Sequence, residues 1–241
     1  MTMKRALVTG GSGAIGAAIC RRLAVDGLHV VIHAHHNIAS AQNLCAELQD
    51  NGGSAEAIQF DVADADATQA ALEALLEGGP IQVLVNNAGI HDDAVFPGMQ
   101  RQQWRSVIDV SLHGFFHVTQ PLSMPMLRTR WGRIISVSSV SGITGNRGQA
   151  NYAAAKGALH AASKSLALEL ATRGVTVNVV APGLITSDMT KNLFDNDAIA
   201  TLVPMKRAGK PEEVAALVGF LASDNAAYIT GQVISVNGGM V

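Results

Sequence analysis

The chain has 241 residues, 48% of them hydrophobic and 15% charged, with a formal net charge of -2 at pH 7. That length supports one large core better than two small ones, and so small a net charge excludes a global field that would gather nucleic acid or a membrane surface. Sparse charge beside a positive mean hydropathy implies more covered surface than one subunit alone provides, so an oligomer is expected.

The N-terminal Met-Thr-Met-Lys shows no secretory pattern and no apolar run reaches about 18–20 residues, so a cytoplasmic location is expected. A first strand over Arg5–Thr9 runs into Thr9-Gly10-Gly11-Ser12-Gly13-Ala14-Ile15-Gly16, which opens a helix at 14–26. Glycines at such a turn allow a pyrophosphate to approach the backbone and rest on the amide-rich helix start. A second strand, His29–His33, leads into Ala34-His35-His36-Asn37, and no Asp or Glu follows before Glu47. An NAD-type site usually has an acid there to bond the ribose. Its absence predicts NADP(H), with His35, His36 and Asn37 donating to the 2′-phosphate.

Helices at 39–51 and 66–77 alternate with strands at Ala55–Phe60 and Val83–Asn86. His91, Asp92 and Asp93 are expected to border a substrate entrance. A long helix over 101–129 contains Pro121 and Pro125. Each proline lacks a backbone donor and costs about 3 kcal/mol in a helix interior, so a kink or break is expected. The strand Arg133–Ser138 ends beside Ser139, and the helix at 151–172 carries Tyr152 and Lys156. Four residues make just over one helical turn, so the phenol and the ammonium share a face. A cation there is expected to pull the phenol down from its ordinary pKa of ~10.

A strand at Val175–Val180, a segment at 186–210 expected to form a flap over the ligand, a helix at 212–222 started by Pro211 and a strand at Val233–Val236 complete the chain. Most of the strands are continuous rather than alternating apolar runs, as burial on both faces of a parallel sheet requires. The strand-helix rhythm predicts a single α/β domain over 1–241, a Rossmann-type doubly wound sheet of seven parallel strands with helices on both faces. Cys20 and Cys45 are expected as buried thiols, and with no His at ligand spacing no metal is expected.

The turn Thr9–Gly16, Asp61-Val62, Asn86-Asn-Ala-Gly89, Ser139, Tyr152-x-x-x-Lys156 and Pro182-Gly183 coincide in order and spacing. Together they resemble the classical short-chain dehydrogenases/reductases, from about Lys4 to the C-terminus. Within that family, the stretches 145–156, 175–183 and 231–239 are similar to the β-ketoacyl-(acyl carrier protein) reductases. The resemblance implies that Gly10, Ser12, Gly13 and Ile15 line the pyrophosphate and ribose. It sets Asp61 and Val62 beside the adenine, and Asn87, Ala88 and Gly89 under the adenosine ribose and the centre of the cofactor. Pro182, Gly183 and Ile185 would cover the nicotinamide, with Ser187 near its carboxamide. Ser139 would bond the substrate carbonyl, Tyr152 supply the proton, and Lys156 bind the nicotinamide ribose. Arg130 and Arg173 match positions that dock the acyl carrier protein.

The implied activity is NADPH-dependent reduction of a 3-oxoacyl thioester in fatty acid or polyketide/polyene-type biosynthesis. A dehydrogenase for another small ketone or alcohol, and a cofactor-binding partner with little turnover in a larger assembly, remain alternatives. The resemblance also implies a homotetramer, with close packing allowed by Ala153, Ala154, Ala155, Ala158, Ala161 and Ala162. Two departures bear on the site. Gly13 stands where NADP-dependent members often carry arginine, next to Ala14 where glycine is common. Ser111 stands where the family usually has an asparagine that kinks the long helix and anchors a proton-relaying water.

Overall fold

The apolar runs of the inner strands are covered on both faces of the sheet, whereas the two edge strands are only partly covered. The computed structural model describes residues 3–186 and 196–241. Its strands are β1 (Arg5–Val8), β2 (His29–Ala34), β3 (Ser54–Gln59), β4 (Val83–Asn86), β5 (Gly132–Val137), β6 (Val175–Pro182) and β7 (Val233–Val236). All are parallel, in the order β3-β2-β1-β4-β5-β6-β7. Every residue of β5 and β6 is buried, as expected for strands sandwiched between helix layers.

On one face lie α1 (Ala14–Val25), α2 (Ile38–Asp50) and α9 (Pro211–Ala222), which bury Ile19, Leu23, Leu44, Val214 and Val218. On the other lie α3 (Ala65–Glu77), α5 (Gly114–Thr129) and α7 (Ala150–Leu170), which bury Leu72, Leu122, Met126, Ala167 and Leu170. Shorter helices are α4 (Arg101–Ile108), α6 (Ser141–Thr144) and α8 (Asn196–Leu202). Cys20 and Cys45 are buried free thiols. Among the described residues no helix is long and apolar enough to cross a membrane.

The strand order positions the site. From β1 the chain steps outward to β2 and β3, then restarts at β4 on the other side of β1 and proceeds to β7. Loops leaving β1 and β4 therefore diverge, and a crevice opens at the carboxyl ends of the strands.

Of the kink or break expected in the long helix, the break does not occur. Neither Pro121 nor Pro125 breaks α5, which continues through both. The irregularity lies upstream, where Asp109–His113 forms a π turn and the Gly114 amide reaches back to the Asp109 carbonyl. Val118, Leu122 and Met126 are fully buried on α5, and each such side chain contributes roughly 2 kcal/mol. Packing of that size holds the helix against the backbone cost of the prolines.

The expected flap is described at its two ends. The Thr186 amide donates to the Gly209 carbonyl at 2.8 Å and the Gly209 amide to the Leu184 carbonyl at 2.9 Å, so the excursion closes on itself. Positions 187–195 lie outside the described residues, and Ser187 with them.

Candidate active site

A cleft of about 460 Å³ opens at the crevice between β1 and β4. Its wall takes Gly10, Ser12, Gly13 and Ile15 from the first turn, His35 after β2, and Asn87, Ala88 and Gly89 after β4. Ser139 after β5, Tyr152 and Lys156 of α7, and Pro182, Gly183 and Ile185 at the end of β6 complete it.

The first turn suits an anion. Gly10 has φ +60, a backbone conformation that side chains resist, and a Cβ there would lie 3.1 Å from the Ala88 backbone. A Cβ on Gly16 would strike the Gly10 carbonyl, whereas one on Gly13 would meet nothing nearer than 3.5 Å. Gly13 thus presents bare backbone to open space. No side chain caps α1, so its first-turn amides are left for a phosphate. A dinucleotide pyrophosphate fits this cradle.

A neighbouring loop and a neighbouring strand fix the turn. Thr9 Oγ1 accepts from the Asn87 and Ala88 amides at 2.9 and 3.0 Å, and Asn87 Nδ2 donates to the Thr9 and Gly10 carbonyls at 3.0 Å. From the other side, His33 Nδ1 accepts from the Gly10 amide at 3.0 Å. Its Nε2 lies 2.9 Å from the Phe60 carbonyl, an acceptor only, so the proton sits on Nε2 and the lone pair on Nδ1. Burial pushes the His33 pKa down to about 4, which keeps the ring neutral. Sequence reasoning passed over His33 as an ordinary strand residue. The available signal was a polar ring inside Val30-Val-Ile-His-Ala34.

At the other end of the cleft, Lys156 is 3% exposed. Its Nζ donates to the Val137 carbonyl at 2.9 Å. A Cβ on Gly89 would come within 3.0 Å of that nitrogen, so the glycine makes room for the ammonium. Burial lowers the Lys156 pKa to about 8. The Lys156 Nζ stands 5.7 Å from the Tyr152 ring centre. Contrary to expectation, the tyrosine is not acidified: burial raises its pKa, a hydrogen bond with Ser139 opposes this, and Asp93 adds to the rise. Desolvation of the phenolate outweighs its partners here.

The start of α7 is pinned by Asn151, whose Nδ2 donates to the Asp92 and Gln103 carbonyls at 3.0 Å. His91 lies on the cleft wall, edge-on to Tyr152 at 6.4 Å between centroids and 3.6 Å from Asp93. Asp93 also accepts from Gln149 Nε2 at 2.8 Å.

Several expected contacts fall elsewhere. His36 stacks on His35 with centroids 3.6 Å apart but does not line the cleft. Asn37 caps α2, its Oδ1 accepting from the Ser40 amide at 3.1 Å. Asp61 and Val62 are off the cleft wall. Asp61 Oδ1 accepts from the Ala63 amide at 2.9 Å, its Oδ2 lies 3.6 Å from His35 Nε2, and Val62 packs against Gly114. Ser111 is buried in the π turn with no partner for its hydroxyl among the described residues, and a Cβ on Gly89 would lie 3.6 Å from that oxygen.

Arg130 and Arg173 come together, since Arg130 Nη2 reaches the Thr172 carbonyl at 3.5 Å. They do so immediately before β5 and β6, at the amino edge of the sheet. Strand length puts that edge roughly 20 Å from Ser139, so they do not flank this chain's own cleft. Sequence spacing alone could not show on which edge they fall.

Comparison with known proteins agrees with this geometry. The family model described as short chain dehydrogenase matches residues 4–198. A curated relative from Synechocystis sp., named 3-oxoacyl-(acyl-carrier-protein) reductase, is 47% identical over 243 residues, covering 100% of this chain and 98% of the relative. One from Staphylococcus aureus, named 3-oxoacyl-(acyl-carrier-protein) reductase FabG, is 47% identical over 240 residues, covering 98% of each. Nodulation protein G of Azospirillum brasilense is 43% identical over 244 residues, covering 100% of this chain and 99% of the relative. With the sheet order, the glycine cradle and the Ser139, Tyr152 and Lys156 cluster in one cleft, these matches establish that the chain belongs to the short chain dehydrogenase family.

Proposed function

We propose that the protein reduces a 3-oxoacyl thioester, carried on acyl carrier protein, to the 3-hydroxyacyl thioester with NADPH. One observation carries the chemistry: Ser139, Tyr152 and Lys156 converge on a cleft that also holds an anion-accepting glycine turn. The relatives' names support the substrate. The turn at Gly10–Ile15 and the Asn87–Gly89 loop would hold the cofactor, whose nicotinamide supplies a hydride when bound.

This chain's own groups manage the oxygen. The Ser139 hydroxyl acts on Tyr152 closely enough to oppose the rise that burial causes in its pKa, and both hydroxyls can donate to a ketone oxygen as negative charge develops on it. Because burial holds the phenol protonated, Tyr152 enters the reaction as an acid and passes its proton to that oxygen. Lys156, mostly cationic below its pKa of about 8, lowers the cost of that transfer and offers donors to a ribose hydroxyl. His35 on the wall, with no carboxylate at the end of β2, favours a 2′-phosphate over a bare ribose.

Purified protein mixed with acetoacetyl thioester should consume NADPH, and NADH more slowly, as followed by nicotinamide absorbance. Turnover of simple ketones with none of 3-oxoacyl thioesters would move the protein to another substrate class.

Carrier docking at Arg130 and Arg173 belongs to the same proposal. Their place at the amino edge means that a docked carrier serves a neighbouring subunit's cleft rather than the one above it. A homotetramer is part of this reading, supported by exposed Phe116 and Met124 on α5, Leu168 on α7 and Phe220 on α9. On α7, Ala154 and Ala161 share the exposed side with Leu168, while Ala155 faces the core. Replacing both arginines with glutamate should raise KM for carrier-bound substrate several-fold and leave a small thioester unaffected. Equal effects on the two substrates would remove the docking role.

A further inference from the structure

We propose that His33 is a positioning residue for the cofactor, its Nδ1 lone pair holding the Gly10 amide so that the glycine turn keeps the shape a pyrophosphate needs. This rests on the reading that the cleft takes a dinucleotide. His33 is 1% exposed and sits at the end of β2, between the turn and β3. Its ring is held by the Phe60 carbonyl on Nε2 and lies against the Phe60 ring at 4.1 Å. The lone pair on Nδ1 is therefore aimed rather than free to rotate.

Gly10 is the residue on which the turn reverses, with φ +60, and both of its backbone groups are committed. Its carbonyl accepts from Asn87 Nδ2 at 3.0 Å and from the Gly13 amide at 3.2 Å, while its amide goes to His33. The next amide, Gly11, donates to the His33 backbone carbonyl at 2.8 Å. One strand residue thus holds two successive turn amides, one through its ring and one through its main chain. A neutral imidazole suits the place chemically. A carboxylate would accept from Gly10 but set negative charge beside a pyrophosphate, and an ammonium would offer no acceptor.

Two substitutions separate this role from simple packing. In His33→Asn the side-chain oxygen can take the position of Nδ1 and keep the Gly10 bond, while the donation to Phe60 is lost. In His33→Gln the amide nitrogen can take the position of Nε2 and keep the Phe60 bond, while the Gly10 acceptor is lost. NADPH titration by fluorescence, amide exchange at Gly10 by NMR, and thermal unfolding would be measured on each full-length protein. His33→Gln should weaken NADPH binding roughly ten-fold and speed Gly10 exchange, whereas His33→Asn should stay within about three-fold of the parent. A ring that merely tied β2 to β3 would give the opposite order, with Gln the better substitute, and that result would overturn the proposal. In the unmutated protein, saturating NADPH should shift both the Gly10 amide and the His33 ring nitrogen resonances. Binding that leaves both unmoved would overturn the proposal without any variant having to fold. Failure of the unmutated protein to bind either nicotinamide dinucleotide would instead sink the cofactor reading, and this inference with it.

Discussion

Tyr152→Phe should fold, bind NADPH within a few-fold of the parent, and reduce 3-oxoacyl thioesters about 10²–10⁴ times more slowly. The ring stays, so packing at the start of α7 and the edge contact with His91 are kept. Only the hydroxyl goes, and with it the proton donor. Ser139 alone can still polarise the ketone, which is why some turnover remains. The loss should fall on kcat, because the proton moves in the transition state and not on binding. Burial raises the phenol's pKa, so reduction should not decline from loss of this proton as pH rises above neutrality. Oxidation of the 3-hydroxy product, which needs the phenolate as base, should gain with pH. A kcat that falls less than about ten-fold would mean the proton comes from elsewhere, and His91, on the same wall, would be the first group to replace.

Much of this was legible in the sequence because it depends on local pattern. The inner strands could be read as continuous apolar runs since burial on both faces leaves no polar alternation, while the edge strands β3 and β7 are only partly covered. Tyr152 and Lys156 could be put on one helix face from spacing alone, and the Gly10–Gly16 turn from its place between a strand and a helix. What escaped depends on contacts between distant segments. Asn37 starts α2 by accepting from the Ser40 amide through Oδ1, a capping role that its place in the sequence did not reveal and that leaves its Nδ2 donor in place. Arg130 and Arg173 are 43 positions apart, and the pairing of β5 with β6 brings them together at the edge away from the cleft. The π turn at Asp109–His113 is invisible to a helical period, so the irregularity was sought at the prolines. The sign of the tyrosine's shift was misjudged for a related reason. Residue spacing reveals a neighbouring cation, but desolvation is a property of the assembled core.

Lys156→Met should trade activity for stability. In the fold the ammonium is buried and its pKa lowered to about 8, from an ordinary 10.5. At pH 7 keeping it charged costs about 3 kcal/mol. Methionine fills similar space without that cost but leaves the Val137 carbonyl short of the donor it has at 2.9 Å, a loss of about 1 kcal/mol. The net gain of roughly 2 kcal/mol should raise Tm by about 4–8 °C for a chain of this size. The pH dependence has a definite sign. Between about 8 and 10.5 the unfolded chain holds a proton that the folded one has released, so the parent gains stability as pH rises through that window and the methionine variant does not. The advantage of Lys156→Met should therefore be full at pH 7 and largely gone by pH 10.5. Turnover should fall about 10²–10⁴-fold, since the phenol would give up its proton with no cation nearby, and reduction by the parent should weaken above pH 8 as the ammonium discharges. A variant less stable than the parent at neutral pH would show that the Val137 bond outweighs desolvation. The buried amine would then be a structural strut as well as a catalytic cation.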